Sequence, residues 1–293
     1  MIWIPLSYGI VIFKEGRGDM VLLGLSTSFV HKDPEEWAYK MKQLGCGCVV
    51  FPVNYLAGKE IIRAYRKAAD SEGLVIAEVG VWNNVLSPNR DERERAMEYA
   101  IGQLKMADEI GAACCVNIAG TPVGPRWDGG YRENFSEETW RMTIETTQTI
   151  IDKVKPVNTY YSIESMPWMI PTSPSEYLRL IEEINRPQFR AHLDVVNMIT
   201  NPRRYYFNDE FLEECFIKLK GLICSCHLKD IVVREEYTFQ LVETSCGQGI
   251  LDLELFHKLA DDENPHMPVI IEHLHTDEEY IESLCYVKKR LGI

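Results

Sequence analysis

From Met20 onward, the chain alternates eight times between a short apolar run and a longer amphipathic stretch. The apolar runs have the length of buried strands, and the stretches between them have helical periodicity. Eight strand–helix pairs with no break in composition predict a single (β/α)8 TIM barrel of the α/β class. The predicted strands cover residues 21–26, 48–51, 75–79, 114–118, 160–164, 189–194, 222–227 and 269–272. The predicted helices cover residues 34–44, 59–72, 91–110, 136–154, 175–184, 208–219, 253–260 and 276–291.

Local signals at the ends of the helices support this division. Asp33 and Ser173 each precede a proline, Ser136 stands before the fourth helix, and Gly111 follows the third. Such residues begin and end helices because they satisfy terminal backbone groups or adopt left-handed backbone angles. A doubly wound open sheet is the alternative fold, but no G-x-G-x-x-G turn follows the first strand. The barrel is therefore expected to span residues 20–293.

Residues 1–19 are expected to be an N-terminal extension outside the barrel. Their apolar stretch is interrupted early, lacks a basic leading region and is too short to cross a membrane. Met20 directly precedes the first convincing strand. We interpret the segment as dispensable, with Met20 as an alternative start.

Four polar residues close strand-like runs in the second half of the chain: Glu164, Asp194, His227 and Glu272. They are separated by 30, 33 and 45 residues, intervals that suit successive βαβ units. Three carboxylates and one imidazole offer oxygen and nitrogen ligands to a divalent cation. The carboxyl ends of barrel strands meet at one mouth, where active sites are built. The sequence therefore predicts a metal site there, although any one of the four alone would pass for an ordinary polar residue.

The alternation of side chains along each strand agrees with this site. Glu164 shares its face with Ser162, and Asp194 shares its face with His192, whereas Ile163 and its counterparts face the other way. His192 is expected to fill the barrel or to orient a neighbour. The strand ends thus direct polar groups inward and apolar groups toward the helices.

Composition excludes several classes of partner. The net charge of -13 disfavours a phosphate-backbone partner, so no nucleic acid is expected. The mean hydropathy of -0.18 and the scattered charge argue against a membrane protein. A neutral sugar or polyol remains compatible with this charge. The nine cysteines are odd in number and lack zinc-site spacing, which suits small buried side chains in a reducing, cytoplasmic compartment. Cys224 and Cys226 are expected to point outward, toward the helices.

Several short motifs together resemble a known family. They are I-E-S-M-P-W, H-L-D-V-V-N, H-L-K-D, C-G-Q-G and I-I-E-H, with N-I-A-G-T and W-D-G in the fourth unit. Their order is similar to that of the sugar isomerase/epimerase family with a xylose-isomerase-like TIM barrel. That family includes ketose 3-epimerases, hydroxypyruvate isomerase and inosose dehydratase.

The resemblance implies one divalent metal ion, Mn2+, Mg2+, Co2+ or Zn2+, held by Glu164, Asp194, His227 and Glu272. It implies that Glu164 and Glu272 also act as an acid/base pair on opposite sides of the reacting carbon. A metal-bound substrate oxygen stabilises the enediolate that forms when the proton leaves. A homo-oligomer is also expected, since relatives are often dimers or tetramers.

The substrate side of the site departs from the epimerase pattern. Asn197 stands where many relatives have a substrate-contacting His, and Ile170 stands where the epimerases have a second Glu. Val233 occupies the position of a common Arg, with Arg234 beside it. The predicted metal ligands thus match the family pattern, whereas the residues around the substrate differ and do not identify it.

Further substrate-binding candidates each have a structural alternative. Trp127 and Trp168, like Trp82, follow strands, where their indole faces could stack on a sugar ring. The alternative is that these side chains only pack against neighbouring loops. Asn117 would bond a hydroxyl or cap a backbone. Lys229 and Arg234 would bind a hydroxyl or phosphate, or else Arg234 is a solvated loop residue.

The predicted function is that of a metal-dependent isomerase or epimerase of a sugar or sugar derivative. A dehydratase of the inosose type is the alternative on the same site, because elimination begins with the same proton abstraction. Endonuclease-like hydrolysis of DNA would require more metals and histidines and is disfavoured by the negative charge. A non-catalytic sugar-binding module is the remaining alternative.

Overall fold

The computed structural model describes residues 21–293, so the predicted extension at residues 1–19 lies outside the described residues. The ten strands are β1 Leu22–Leu25, β2 Cys48–Val50, β3 Val75–Gly80, β4 Cys114–Asn117, β5 Tyr160–Ile163, β6 Ala191–Asp194, β7 Ile223–Leu228, β8 Asp230–Val233, β9 Leu241–Thr244 and β10 Pro268–Ile271. The helices are α1 Pro34–Gln43, α2 Lys59–Ser71, α3 Arg90–Ile110, α4 Glu137–Val154, α5 Pro174–Ile184, α6 Val195–Met198, α7 Pro202–Tyr206, α8 Asn208–Lys218, α9 Leu253–Glu263 and α10 Asp277–Leu291.

Eight parallel strands form the barrel. Full ladders join β2–β3–β4–β5 and β1–β10–β7–β6. These two four-stranded sheets meet at two junctions. Next to β1 and β2, the Gly47 N–H donates to the Leu23 carbonyl at 2.8 Å, and between β5 and the segment before β6, Tyr161 and Phe189 form a parallel bridge. The predicted (β/α)8 barrel is confirmed, with each of the eight predicted strands present in this barrel.

The junction between β5 and β6 is reinforced by a side chain. The Tyr177 hydroxyl from α5 donates to the Ile163 carbonyl of β5 and accepts from the His192 N–H of β6 at 3.1 Å. It therefore replaces ladder hydrogen bonds that these two strands lack, close to Glu164, which follows β5, and Asp194, which ends β6.

The predicted helix starts are also confirmed. Asp33 accepts from the Glu36 N–H at 2.8 Å, and Ser136 and Ser173 each accept from the N–H three residues later at 3.2 Å. Gly111 ends α3 with φ of 64°, a left-handed conformation that favours glycine.

Most apolar residues pack between the barrel and its helices, and a second cluster of Cys48, Ala77 and Ile270 is separate from it. Ile270 lies two residues before Glu272, so this second cluster lies deeper along β10 than the polar mouth. Within residues 21–293, no helix is long and apolar enough to span a membrane.

The expected outward direction of Cys224 is wrong. The ladder between β6 and β7 shifts register between Ala191 and His192, which pair with Ile223 and Ser225. Cys224 is skipped by this shift, and its Sγ lies 3.3 Å from the Ser162 Oγ inside the barrel. A bulge of this kind re-aims one side chain without disturbing the strand on either side.

Candidate metal centre

The four predicted ligand residues meet at the carboxyl end of the barrel. Glu164 directly follows β5, Asp194 ends β6, His227 lies near the end of β7, and Glu272 directly follows β10. Asp194 and His227 are direct partners in the β6–β7 register. All four side chains are buried, and one ligand atom from each lies within 4.8 Å of the others. The fold therefore brings together residues that are 108 positions apart in sequence from first to last.

His227 lies at the middle of this cluster. Its Nδ1 is 3.0 Å from Glu272 Oε1, 3.2 Å from Glu164 Oε1 and 4.0 Å from Asp194 Oδ2. Its Nε2 points the opposite way and lies 3.2 Å from Glu78 Oε2. One ring nitrogen thus faces the three predicted carboxylate ligands, and the other faces a fourth carboxylate.

Lys229 is also part of the cluster. Its Nζ is 2.6 Å from Glu272 Oε1 and 2.8 Å from Asp194 Oδ2, and the side chain is 1% exposed. Nζ also contacts Glu243 Oε1 at 3.2 Å and His273 Nδ1 at 3.1 Å. Lys229 was predicted to bind a substrate hydroxyl or phosphate. Its ammonium instead contacts two predicted metal ligands, Asp194 and Glu272, and two residues at the rim, Glu243 and His273.

The electrostatics of the cluster follow from burying charges side by side. Burial lowers the pKa of His227, but the carboxylates of Glu272 and Glu78 outweigh it and raise this pKa well above its usual value. Burial raises the pKa of Glu272, but His227 and Lys229 outweigh it and hold this pKa well below its usual value. Burial raises the pKa of Asp194 to about 7, and the ammonium of Lys229 opposes this rise.

The side chains present fit a divalent cation. Asp194 Oδ2 is buried and accepts no hydrogen bond, because its 2.8 Å contact with Lys229 lacks hydrogen-bond geometry. Four carboxyl groups, those of Glu78, Glu164, Asp194 and Glu272, are buried around the side chains of Lys229 and His227. Several carboxyl groups buried side by side are costly unless positive charge offsets them, and a divalent cation would add to the charge of Lys229.

Sequence reasoning missed Glu78 and the polar layer beneath the cluster. Glu78 is a buried carboxylate in β3, and His192 stacks edge-on against His227 with ring centroids 4.1 Å apart. His192 Nδ1 lies 2.5 Å from the Ser225 Oγ, and Cys114 Sγ lies 3.1 Å from the same oxygen. The expectation that His192 fills the barrel agrees with this packing. A charged residue inside a buried parallel strand was the signal that would have identified Glu78.

Asn197 and Asn117, both predicted to contact substrate, have protein partners. Asn197 Nδ2 donates to Glu164 Oε1 at 3.0 Å, and the Asn197 N–H donates to Asp194 Oδ1 at 2.9 Å. Asn117 is fully buried and bonds the backbone of Asn83 with both ends of its amide, at 3.1 and 3.2 Å. Asn197 therefore orients two predicted ligands, whereas Asn117 holds the loop that follows β3.

The other predicted substrate residues lie farther out. Trp168 is 40% exposed, and its Nε1 donates to the Asp128 carbonyl at 2.7 Å, which ties the loops after β4 and β5 together. Trp127 lines a cavity beside the mouth that also includes Trp82. Arg234 is exposed just after β8, and no hydrogen bond or ion pair in residues 21–293 links its guanidinium to the four-residue cluster.

The family of the chain follows from comparison with known proteins. The model of the xylose isomerase-like TIM barrel family matches residues 38–290. The chain belongs to this family. The motifs that suggested the resemblance all lie within the matched residues. No curated protein matches the chain by sequence.

Solved structures with low sequence identity share the fold. A probable 3-DHS dehydratase from Bacillus anthracis has 15% identity and a TM-score of 0.69, covering 94% of this chain and 99% of its own. A D-psicose 3-epimerase with D-tagatose from Clostridium cellulolyticum H10 has 11% identity and a TM-score of 0.68, covering 92% and 98%. A xylose isomerase-like TIM barrel protein from Mycobacterium smegmatis in complex with magnesium has 12% identity and a TM-score of 0.65, covering 94% and 97%.

Proposed function

We propose that this protein is a divalent-metal-dependent isomerase or epimerase of a sugar or sugar derivative. One observation carries the proposal: three carboxylates and one imidazole place ligand atoms within 4.8 Å of one another at the barrel mouth. Mixed oxygen and nitrogen donors suit Mn2+, Mg2+, Co2+ or Zn2+. The sugar epimerases among the structural neighbours favour a small sugar substrate.

Glu164, Asp194, His227 and Glu272 would hold the metal ion. When bound, such an ion supplies Lewis-acid stabilisation to negative charge on adjacent substrate oxygens. That support matters because a proton next to a carbonyl or hydroxyl carbon is only weakly acidic.

Glu164 and Glu272 would serve two sides of one substrate carbon. They follow β5 and β10, which are separated in the barrel by β6 and β7. In the metal-free protein, His227 and Lys229 hold the pKa of Glu272 well below its usual value against the effect of burial, and the ionised carboxylate is the form that a general base requires. Glu164 receives a hydrogen bond from Asn197 that fixes its orientation.

Lys229 is proposed to bind a substrate oxygen beside Glu272. Its ammonium is already held by Asp194, Glu272 and Glu243 at distances of 2.6–3.2 Å. A donor fixed in this way needs little reorganisation when negative charge develops on a nearby oxygen.

The proposal is tested with Glu164→Gln and Glu272→Gln. Each change keeps the shape and one oxygen, so each should lower turnover by about 10²–10⁴-fold while the protein stays folded. The assay follows metal-dependent conversion and proton exchange in deuterated water over a panel of ketoses, inososes and their phosphates.

The two variants should differ in the half-reaction that survives, since each retains the carboxylate on one side. Glu213→Gln, an exposed change on α8, is the control. Turnover within a few-fold of the parent for both variants, on a substrate the parent converts, would rule out the two-carboxylate mechanism.

Dehydration is the second candidate. Lys229 Nζ lies 2.6 Å from Glu272 Oε1, so a proton donor stands directly beside the proposed base, as loss of a hydroxyl group requires. Mass spectrometry of the products decides between the two reactions. An epimer or isomer has the mass of the substrate, whereas a dehydrated product has lost one water.

A further inference from the structure

A cavity of about 490 Å³ opens among loops at the carboxyl end of the barrel and does not include any of the four predicted metal ligands. It lies between the loop after β3, the loop after β4 and the first half of α3. Its side-chain lining includes Trp82, Glu92, Arg95, Tyr99 and Trp127, which we call the aromatic groove. The volume falls within the usual range for small-molecule sites.

Trp82 connects the aromatic groove to the barrel mouth. A Cβ on Gly80 would lie 1.9 Å from the Trp82 Nε1, so the indole occupies the space that a side chain at position 80 would fill. Gly80 lies two residues after Glu78 on β3 and shares its inward face. The indole of Trp82 therefore stands over the mouth and also lines the aromatic groove.

The backbone at Trp82 is held in an unusual conformation. Its φ of 47° is left-handed, which is rare for a bulky residue, and the side chain is 41% exposed. Such angles persist where the surrounding structure enforces them, and they concentrate at functional sites. Gly80 and Trp82 together therefore keep a large aromatic surface at the boundary between mouth and groove.

The walls of the aromatic groove are fixed by the half-buried amide of Asn84. Asn84 Oδ1 accepts from the N–H groups of Leu86 and Thr121 at 3.1 Å, and Asn84 Nδ2 donates to the Thr121 carbonyl at 2.8 Å. These bonds join the loop after β3 to the loop after β4. The groove is therefore formed before any ligand arrives, which lowers the cost of binding.

The chemistry of the aromatic groove matches a sugar ring. Aromatic faces pack against the C–H face of a sugar, while the Glu92 carboxylate and the Arg95 guanidinium offer an acceptor and donors for hydroxyl groups. Arg95 has no ion-pair partner within residues 21–293, and Glu92 accepts from the Ser87 hydroxyl at 3.0 Å. A single cation beside a carboxylate does not favour a phosphate group.

We propose that the aromatic groove binds a second sugar ring, so that the substrate is a disaccharide or glycoside whose other ring reacts at the metal centre. This inference rests on the proposed function. It assigns the substrate class by size: two linked rings, rather than a free monosaccharide, with Trp82 contacting the substrate between the two subsites.

The test compares binding of glucose with that of maltose, cellobiose and trehalose to full-length, Mn2+-loaded protein by calorimetry and saturation-transfer NMR. Trp127→Ala and Arg95→Ala are the groove variants, and Tyr237→Ala, a fully exposed aromatic beyond β8, is the matched control. Circular dichroism and metal content are recorded for every variant.

We expect at least one disaccharide to bind about tenfold more tightly than glucose. Trp127→Ala and Arg95→Ala should each remove most of this preference without changing metal content, and Tyr237→Ala should keep it. If Trp127→Ala unfolds the protein, Arg95→Ala, a change at an exposed position, still tests whether the groove causes the disaccharide preference.

Equal binding of glucose and the disaccharides, or no saturable binding by any disaccharide, would overturn the inference, as would a preference unaffected by both groove variants. If the protein holds metal but shows no preference, the inference alone fails. If it holds no metal yet prefers a disaccharide through Trp127, the proposed function fails and the groove subsite stands.

Discussion

The two nitrogens of His227 have separate partners. Nδ1 faces Glu164 and Glu272 at 3.2 and 3.0 Å, and Nε2 lies 3.2 Å from the Glu78 carboxylate. A carboxylate that accepts from one ring nitrogen fixes the tautomer and leaves the lone pair of the other for a metal. Glu78 therefore orients His227 without belonging to the proposed ligand set.

We predict that Glu78→Gln weakens metal binding about 10–100-fold while the fold is retained, because the amide accepts a weaker hydrogen bond from the imidazole. Calorimetric titration of the metal-free protein with Mn2+ measures the change. Glu213→Gln is the control for loss of one carboxylate. An unchanged dissociation constant for Glu78→Gln would show that Glu78 does not support His227.

Metal binding is predicted to strengthen as pH rises through about 7. Burial raises the pKa of Asp194 to about 7, and neighbouring carboxylates raise the pKa of His227 despite burial. A metal binds the deprotonated ligands, so protons compete with it at lower pH. Groups with a raised pKa stabilise the metal-free fold at low pH, and this stabilisation is lost as pH rises through their folded pKa.

The rise in melting temperature on adding Mn2+ should therefore be larger at about pH 8 than at about pH 6. Differential scanning calorimetry with and without metal measures it. A larger rise at the acid pH would contradict this assignment of raised pKa values.

At the scale of elements, Asp230 joins the β8–β9 hairpin to the turn before α9. Its buried carboxylate accepts from the N–H groups of Gly247, Gly249 and Leu251 at 2.9–3.0 Å. A Cβ on Gly249 would lie 2.1 Å from Asp230 Oδ1. Gly249 of the C-G-Q-G motif thus allows close approach of the backbone to Asp230.

Asp230→Asn is predicted to lower the free energy of unfolding by about 3 kcal/mol, because a side-chain NH2 would replace one charged acceptor facing backbone N–H groups. Urea denaturation measures the loss. Asp262→Asn, at an exposed position on α9, is the control and should change the free energy by less than about 0.5 kcal/mol. Equal stabilities of the two variants would show that Asp230 does not hold this turn.

The elements that the sequence predicted correctly are those with strong local signals. The eight barrel strands are continuous apolar runs, and caps such as Asp33 act through bonds within four residues. The hairpin of β8 and β9 was not predicted, because its short strands mix apolar and charged residues and pair only with each other. The bulge at Cys224 depends on the register with β6, which is a tertiary property.

At the scale of the whole molecule, barrel closure determines the site. Glu164, Asp194, His227 and Glu272 were identified because each ends a strand, and in a closed parallel barrel all strand ends meet. Glu78 and the exact position of Lys229 were missed, since both depend on how side chains fill the barrel axis. The substrate side is also where the chain departs from the epimerase pattern, at Ile170, Asn197 and Val233.

The central claim is that these four residues hold one metal ion. The most direct test measures metal per chain by mass spectrometry after Mn2+ loading and dialysis, for the parent, Asp194→Ala and His227→Ala, with His275→Ala at an exposed position as the control. We predict about one ion per chain in the parent and the control, and almost none in the other two variants, all with similar circular dichroism. Normal metal content in both Asp194→Ala and His227→Ala would contradict the account.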